Sequence, residues 1–167
     1  LFGLASAPFC GRESERDLIW SRLQSSVSGG GSHLVFVRGP AGQGKSSLAN
    51  WVAQRAHQVG GALTLRARHE FPNSSTCGLH GMMSRILRLQ GLARLERERR
   101  VTQVMSNLKL ADFAPVMTSI VSSPKAHNTS ETQVIHTDAE RYEACCRLLA
   151  TLTNKRPRII LLDDVQW

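Results

Sequence analysis

Residues 39–48 of the chain read Gly39-Pro40-Ala41-Gly42-Gln43-Gly44-Lys45-Ser46-Ser47-Leu48. Gly39 and Gly44 bracket four residues and are followed by Lys45 and Ser46, which satisfies the pattern G-x-x-x-x-G-K-[ST]. Glycines let consecutive backbone N–H groups approach phosphate oxygens without a Cβ in the way. A helix that starts near Lys45 adds the positive end of its dipole at the same place. The stretch therefore predicts a loop that binds phosphate groups.

The residues of this phosphate loop predict specific roles toward a bound nucleoside triphosphate. Lys45 is expected to reach the β- and γ-phosphates and to assist catalysis there, and the Ser46 hydroxyl is expected to ligate Mg²⁺. The predicted nucleotide-binding residues of the loop are Gly39, Pro40, Ala41, Gly42, Gln43, Gly44, Lys45, Ser46 and Ser47.

Apolar patterns on both sides of the loop predict the elements that hold it. The run LVFV at residues 34–37 is typical of a strand buried on both faces in a parallel sheet. After the loop, apolar residues recur at three-to-four spacing, which predicts a helix from about residue 45 to 59. The residues of that stripe are Leu48, Ala49, Val52, Ala53 and Ala56.

The rest of the chain predicts further α/β units. Residues 62–67 alternate apolar and polar, which indicates a second strand, and residues 78–110 are expected to hold two helices. Residues 122–136 are polar and predict a loop. Thr137 and Glu140 match a capping box at the start of a helix. The residues predicted for its apolar side are Tyr142, Cys145, Cys146, Leu149 and Leu152.

A second apolar run, residues 159–162, ends in Asp163 and Asp164. A carboxylate at the end of a buried strand is the usual partner of a phosphate loop, because it holds Mg²⁺ directly or through water. Asp163 is therefore the predicted magnesium ligand. Asp164 is placed to polarise an attacking water and is the predicted general base.

Composition indicates the broad class of protein. The 167 residues are 41% hydrophobic and 20% charged, which is typical of a globular chain, and no stretch has the roughly 18–20 apolar residues of a membrane span. The four cysteines show no ligand spacing, so we expect reduced thiols in a cytoplasmic protein. Because the chain begins at Leu1 and stops after an apolar run, we expect a fragment.

The net charge of +8 leaves two interpretations open. One is a nucleic-acid partner, and the other, which we favour, is a solvated basic face. The cluster LARLERERR at residues 92–100 mixes Arg with Glu at close spacing, which is more typical of an exposed, salt-bridged helix face.

Three stretches together resemble one group of P-loop ATPases, the AAA-related, Orc1-like modules of STAND-type signalling proteins, as in LuxR/MalT-like regulators. They are FCGRESE at residues 9–15, GPAGQGKSSL at 39–48 and RIILLDDVQW at 158–167. The resemblance spans nearly the whole chain. It implies ATP and Mg²⁺ as cofactors and a three-layer αβα fold with a parallel sheet. It also implies that Gly11 and Arg12 line the adenine side of the site.

The resemblance implies a sheet order of 5-1-4-3-2, counted from the phosphate-loop strand. The sequence supplies candidates for strands 1 to 3, so strands 4 and 5 and the helical lid are expected to be missing. Residues 1–167 are then the N-terminal portion of one ATPase domain. Its predicted segments are 9–27 (N-terminal motif and helix), 34–59 (phosphate loop), 62–136 (second strand, helices and loop) and 137–167 (helix and magnesium-binding strand).

The leading functional hypothesis is a Mg-ATP-binding regulatory switch that hydrolyses ATP slowly when complete and acts through output domains outside this chain, with oligomerisation in the whole protein. The alternatives are a nucleic-acid-associated Orc1-like ATPase, a P-loop kinase of a small molecule, and a truncated nucleotide binder without turnover. We expect no membrane partner, and we expect the 167 residues alone to be a poor ATPase.

Overall fold

The computed structural model describes residues 9–69, 78–122, 136–153 and 157–165. Most of the predicted loop 122–136, and the last two residues of the RIILLDDVQW motif, lie outside the described residues. The elements, in chain order, are α1 (Glu13–Val27), α2 (Lys45–Gln58), β1 (Leu63–Arg68), α3 (Gly78–Ile86), α4 (Arg94–Asn107), a 3₁₀ turn (Ala111–Phe113), α5 (Ala114–Val121), α6 (Asp138–Thr153) and β2 (Arg158–Asp163).

The two strands pair in parallel. The Leu63 N–H donates to the Pro157 carbonyl and the His69 N–H donates to the Asp163 carbonyl, each at 3.0 Å. Both strands run in the same direction along this ladder, as expected for strands joined through helices. The mixed α/β class with a parallel sheet, predicted from the sequence, is confirmed. The pairing of β1 with β2 also agrees with the neighbouring positions 3 and 2 of the implied order.

The predicted strand at residues 34–37 is wrong for this structure. These residues form no strand, and the described sheet consists of β1 and β2 only. Leu34 is 78% exposed and Phe36 is 69% exposed. A strand requires a neighbour to satisfy its backbone N–H and C=O groups. The order 5-1-4-3-2 puts neither β1 nor β2 beside this segment, so high apolar content alone does not make it a strand.

The described residues divide into two compact units, Leu1–Thr64 with Pro157–Ile159, and Leu65–Arg156 with Ile160–Trp167. In the first unit α2 buries four of the five residues of the predicted stripe, with Leu48, Val52, Ala53 and Ala56 at most 4% exposed, and Ala49 is half-buried. Helix α1 buries no residue fully. It is joined to α2 by the Arg16 guanidinium, which lies 3.9 Å from the centroid of the Trp51 ring. A cation over an indole face is attractive through the ring quadrupole.

The second unit has the larger core, built from one face of each of four helices. Helix α5 contacts α3, α4 and α6, so it lies at the centre of this unit. The fully buried side chains of the cluster include Met82, Met83, Leu87, Leu89, Val101, Met105, Met117 and Leu148. Four of these are methionines, whose unbranched side chains fill irregular space between helices.

Helix α6 begins with the predicted capping box. The Thr137 N–H donates to Glu140 Oε2 at 2.7 Å, and the Glu140 N–H donates to Thr137 Oγ1 at 3.2 Å. The predicted apolar side is only partly correct. Cys145 is buried, and burial raises the pKa of its thiol to about 11, but Cys146 is exposed and Tyr142 is 61% exposed. The buried residues are Ala144, Cys145 and Leu148, and the predicted Leu149 and Leu152 pack against the same core.

Candidate functional site

The phosphate loop has the backbone that its glycines permit. Helix α2 begins at Lys45, and its N-cap, Gly44, is left-handed with φ 72°. Gly42 is also left-handed, with φ 79°. A Cβ at either position would meet nothing within 4 Å, so these glycines are required for their backbone conformation and not for space. At Gly39 a Cβ would lie 2.9 Å from Gln43 Oε1, the end of an exposed side chain that can move away.

The lysine of the loop lies across it. Lys45 Nζ donates to the Pro40 carbonyl at 2.8 Å, five residues back along the chain. The ammonium is therefore held at the loop itself, beside the N-terminus of α2. Ser46 and Ser47 follow in the first turn of α2, and both are exposed. This arrangement concentrates a positive side chain and a helix N-terminus at one point, which favours an anion.

The N-terminal motif contacts the same loop. Arg12 is the N-cap of α1 and is left-handed, with φ 57° and ψ 40°. Its guanidinium donates a hydrogen bond to the Gln43 carbonyl, 31 residues later. The resemblance implied a place for Arg12 at the nucleotide site, and the geometry puts its side chain on the loop. Within the first unit, the structure therefore brings together Arg12, Gln43 and Lys45.

The acidic pair ends β2 in the second unit. Asp163 is the last strand residue, and Asp164 follows in the left-handed region with φ 55°. Both side chains are half-buried. Arg68 Nε lies 3.5 Å from Asp164 Oδ2. His69 donates its backbone N–H to the Asp163 carbonyl at 3.0 Å, and its Nδ1 lies 3.2 Å from that oxygen.

Arg68 and His69 are residues that sequence reasoning missed. They stand at the carboxyl end of β1, directly beside the carboxyl end of β2, because the two strands are parallel. A signal was present, since a basic pair follows the predicted strand 62–67 immediately. The ion pair is exposed, with side-chain accessibilities of 67% for Arg68 and 39% for Asp164, so its effect on stability is small. The pair places the Arg68 guanidinium beside the carboxylate of Asp164.

The sequence as a whole matches a family model. The family described as the AAA ATPase domain matches residues 8–167, which include the N-terminal motif, the phosphate loop and the acidic pair. The chain belongs to the AAA ATPase domain family. No curated protein and no solved structure matches it significantly. Membership makes this AAA ATPase domain a P-loop nucleotide-binding module, in agreement with the loop geometry.

Metal clusters and membrane-spanning helices are two further features that concern the surroundings of the site. Among the described residues of this AAA ATPase domain, no group of three or more His, Cys, Asp or Glu side chains has the arrangement of a metal cluster. A magnesium ion beside a nucleotide does not require one, because it takes one or two protein oxygens together with phosphate oxygens and water. Within the same residues, no helix combines the length and the hydropathy needed to cross a bilayer.

Proposed function

We propose that this AAA ATPase domain binds Mg-ATP at residues 39–47 and serves as a nucleotide-dependent regulatory switch. The observation that carries the proposal is the loop itself, with two left-handed glycines and a lysine held across it at the N-terminus of α2. Such a loop directs backbone N–H groups, a helix dipole and one ammonium toward the same anion. The β- and γ-phosphates of a nucleoside triphosphate are the ligand that this set matches.

Lys45 has the clearest part in binding. Its ammonium carries three donors, of which the Pro40 carbonyl accepts one. The remaining donors can approach phosphate oxygens while the first holds the side chain in the loop. Arg12 supports the loop from the other side through the Gln43 carbonyl. We place Gly11 and Arg12 on the adenine side of the nucleotide, as the resemblance implies.

We assign magnesium to the Ser46 hydroxyl and the Asp163 carboxylate. A hydroxyl in the first turn of α2 and a half-buried carboxylate at a strand end are hard oxygen donors, which fit this ion. When bound, the ion would neutralise the charge that develops on the phosphates. Asp164 is the proposed general base, and Arg68 Nε lies 3.5 Å from its carboxylate. We expect hydrolysis to be slow and to require the whole protein.

The switch role follows from how such sites work. A triphosphate orders the residues around it, and hydrolysis releases them, so the bound nucleotide selects between two states of the protein. Family membership supports nucleotide use, and the resemblance supports output domains outside this chain, oligomerisation of the whole protein and a cytoplasmic location. We expect the cysteines to be reduced thiols, as is usual in a cytoplasmic protein.

The substitution Lys45→Ala tests the proposal directly. We expect it to weaken the binding of a fluorescent ATP analogue by about tenfold or more, since it removes one charge-assisted contact to phosphate. Binding is measured by fluorescence titration of the 167-residue chain with Mg²⁺ present.

Lys109→Gly is the matched control for Lys45→Ala. It also removes one lysine, but from the turn that follows α4 in the second unit. Unchanged affinity for Lys109→Gly together with a loss for Lys45→Ala would support the site. Equal affinity of Lys45→Ala and the parent chain would contradict it.

A further inference from the structure

A surface cleft of about 420 Å³ lies where α3 is joined to α4, in the second unit. Its lining consists of Arg88, Leu92, Glu96, Arg99, Arg100 and Gln103. None of these residues belongs to the phosphate loop, the N-terminal motif or the acidic pair. The cleft is shallow and open to solvent, so it suits an extended ligand that lies along the surface. The three guanidinium groups of the cleft make it a candidate site for an anionic ligand.

Arg88 is held at the cleft by the end of α3. The Arg88 N–H donates to the Arg85 carbonyl at 3.1 Å and the Leu89 N–H donates to the Ser84 carbonyl at 2.9 Å, which is the hydrogen-bond pattern of a Schellman motif. Its left-handed position is usually glycine, but here it is Arg88, with φ 56°. Because Leu87 and Leu89 on either side are only 1% exposed, the backbone is anchored and Arg88 stays at the surface.

The acidic residues nearby are already engaged. Glu98 pairs with Arg94 at 3.1 Å, and Glu96 Oε2 accepts the Ala93 N–H at 3.0 Å, at the N-terminus of α4. Within the described ranges, no ion pair involves the three arginines of the cleft. Arg100 uses only its Nε there, toward the Leu87 carbonyl at 3.5 Å. The cleft therefore carries three positive charges against the single charge of Glu96.

We propose that this cleft binds the phosphate backbone of a nucleic-acid strand. Guanidinium groups are planar forks of donors that match phosphate oxygens. Leu92 offers an apolar contact, and the side-chain amide of Gln103 offers hydrogen bonds to the edge of a base. An acidic peptide is the competing occupant, and the competition with polyglutamate described below tests it. The excess of 21 Lys and Arg over 13 Asp and Glu draws the same kind of polyanion to the chain.

The test uses the 167-residue chain carrying Lys45→Ala, so that the phosphate loop contributes little. A labelled single-stranded oligonucleotide is titrated at about 50 mM and about 200 mM salt, with binding followed by anisotropy. Adding Arg88→Gly is expected to weaken binding about tenfold at the lower salt, because one charged contact is lost. The slope of log affinity against log salt should fall by about 0.7, the value for one contact to a single strand.

Arg88→Gly is designed to fold, because glycine adopts positive φ without a steric penalty. Lys109→Gly is its matched control. Lys109 also occupies the left-handed position of a Schellman motif, with φ 60°, and its loss removes the same charge outside the cleft. A thermal melt of each variant confirms that it is folded.

Three results would overturn the proposal. They are no binding of the oligonucleotide at the lower salt, equal affinity of Arg88→Gly and its parent, and an equal loss for Lys109→Gly. Displacement of the oligonucleotide from the cleft by polyglutamate at the same charge concentration would also overturn it, in favour of an acidic protein partner. These three results and the displacement by polyglutamate are all measured in the chain with Lys45→Ala. They are therefore independent of ATP binding, which is tested in the chain with Lys45 intact.

Discussion

Four non-glycine residues in the described ranges have left-handed backbones, and all four are charged. They are Arg12, Arg88, Lys109 and Asp164. Such conformations carry an energetic cost for side chains with a Cβ, and they concentrate at functional positions. Arg12 and Asp164 belong to the proposed nucleotide site, and Arg88 belongs to the basic cleft. Arg88 and Lys109 owe their left-handed backbones to the Schellman motifs that end α3 and α4. At the scale of single residues, only Arg12 and Asp164 therefore combine such a backbone with a place in the proposed nucleotide site.

Glu140 provides a pH-dependent contribution that can be measured at this scale. Hydrogen bonds from the backbone N–H of Thr137 and then from its hydroxyl hold the pKa of Glu140 below its ordinary value of 4.5. A depressed folded-state pKa means that the stabilisation is complete above about 4.5 and is lost as pH falls through the lower folded value. We expect Glu140→Gln to remove this dependence, as seen in urea unfolding from about pH 6 to about pH 3. Parallel pH profiles of the two proteins would contradict the assignment.

Helices α2, α4 and α6 show which features of a helix can be predicted from the local sequence pattern. The stripe of α2 and the capping box of α6 are local features, and both form as the sequence indicates. The predicted salt-bridged face of α4 is present in the pair of Arg94 and Glu98, but the opposite face buries Val101 and Met105. The arginine-rich stretch is thus the outer side of an amphipathic core helix, and its exposed part contributes to the cleft.

The buried face of α4 should dominate its effect on stability. Met105 is 0% exposed and belongs to the core of the second unit. Met105→Ala is expected to lower the free energy of unfolding by about 2–5 kcal/mol, because it removes buried methylene groups and leaves a cavity. Ser106→Ala, at the exposed neighbouring position, is the control and should change it by less than about 0.5 kcal/mol. Chemical denaturation gives both values, and similar losses would show that α4 is not packed in this way.

At the scale of the whole molecule, the described sheet leaves apolar side chains exposed to solvent. It has two strands in the described residues, and Ile160 and Leu162 of β2 are 41% and 51% exposed. Leu34, Val35 and Phe36 of the apolar segment 34–37 are exposed as well. Such surfaces are typical of interaction sites or of regions prone to association.

The exposure of Leu34 gives a test of this picture. Because its side chain is 78% exposed, Leu34→Ser should change the free energy of unfolding of the 167-residue chain by less than about 0.5 kcal/mol. A buried strand residue would instead cost several times more on the same substitution. Chemical denaturation measures the difference. A loss of about 2 kcal/mol or more would show that the segment is packed in solution.

The sequence by itself determined the features that depend on neighbours along the chain. The glycines and Lys45 of the loop, the stripe of α2 and the capping box at Thr137 and Glu140 act over a few residues, so spacing predicts them. Tertiary structure decided what depends on distant partners. Residues 34–37 have the composition of a strand, but strand formation requires hydrogen bonds from a neighbouring segment, and neither strand of the described sheet pairs with them.

The same distinction between local and distant partners applies to the candidate site. The types of residue that bind phosphate were predictable, because their chemistry follows from the motif. The contact of Arg12 with the loop spans 31 residues, and the placing of Arg68 and His69 against Asp164 and Asp163 follows from parallel pairing. Neither has a local signature. The basic cleft likewise exists only because the end of α3 places Arg88 beside the exposed face of α4.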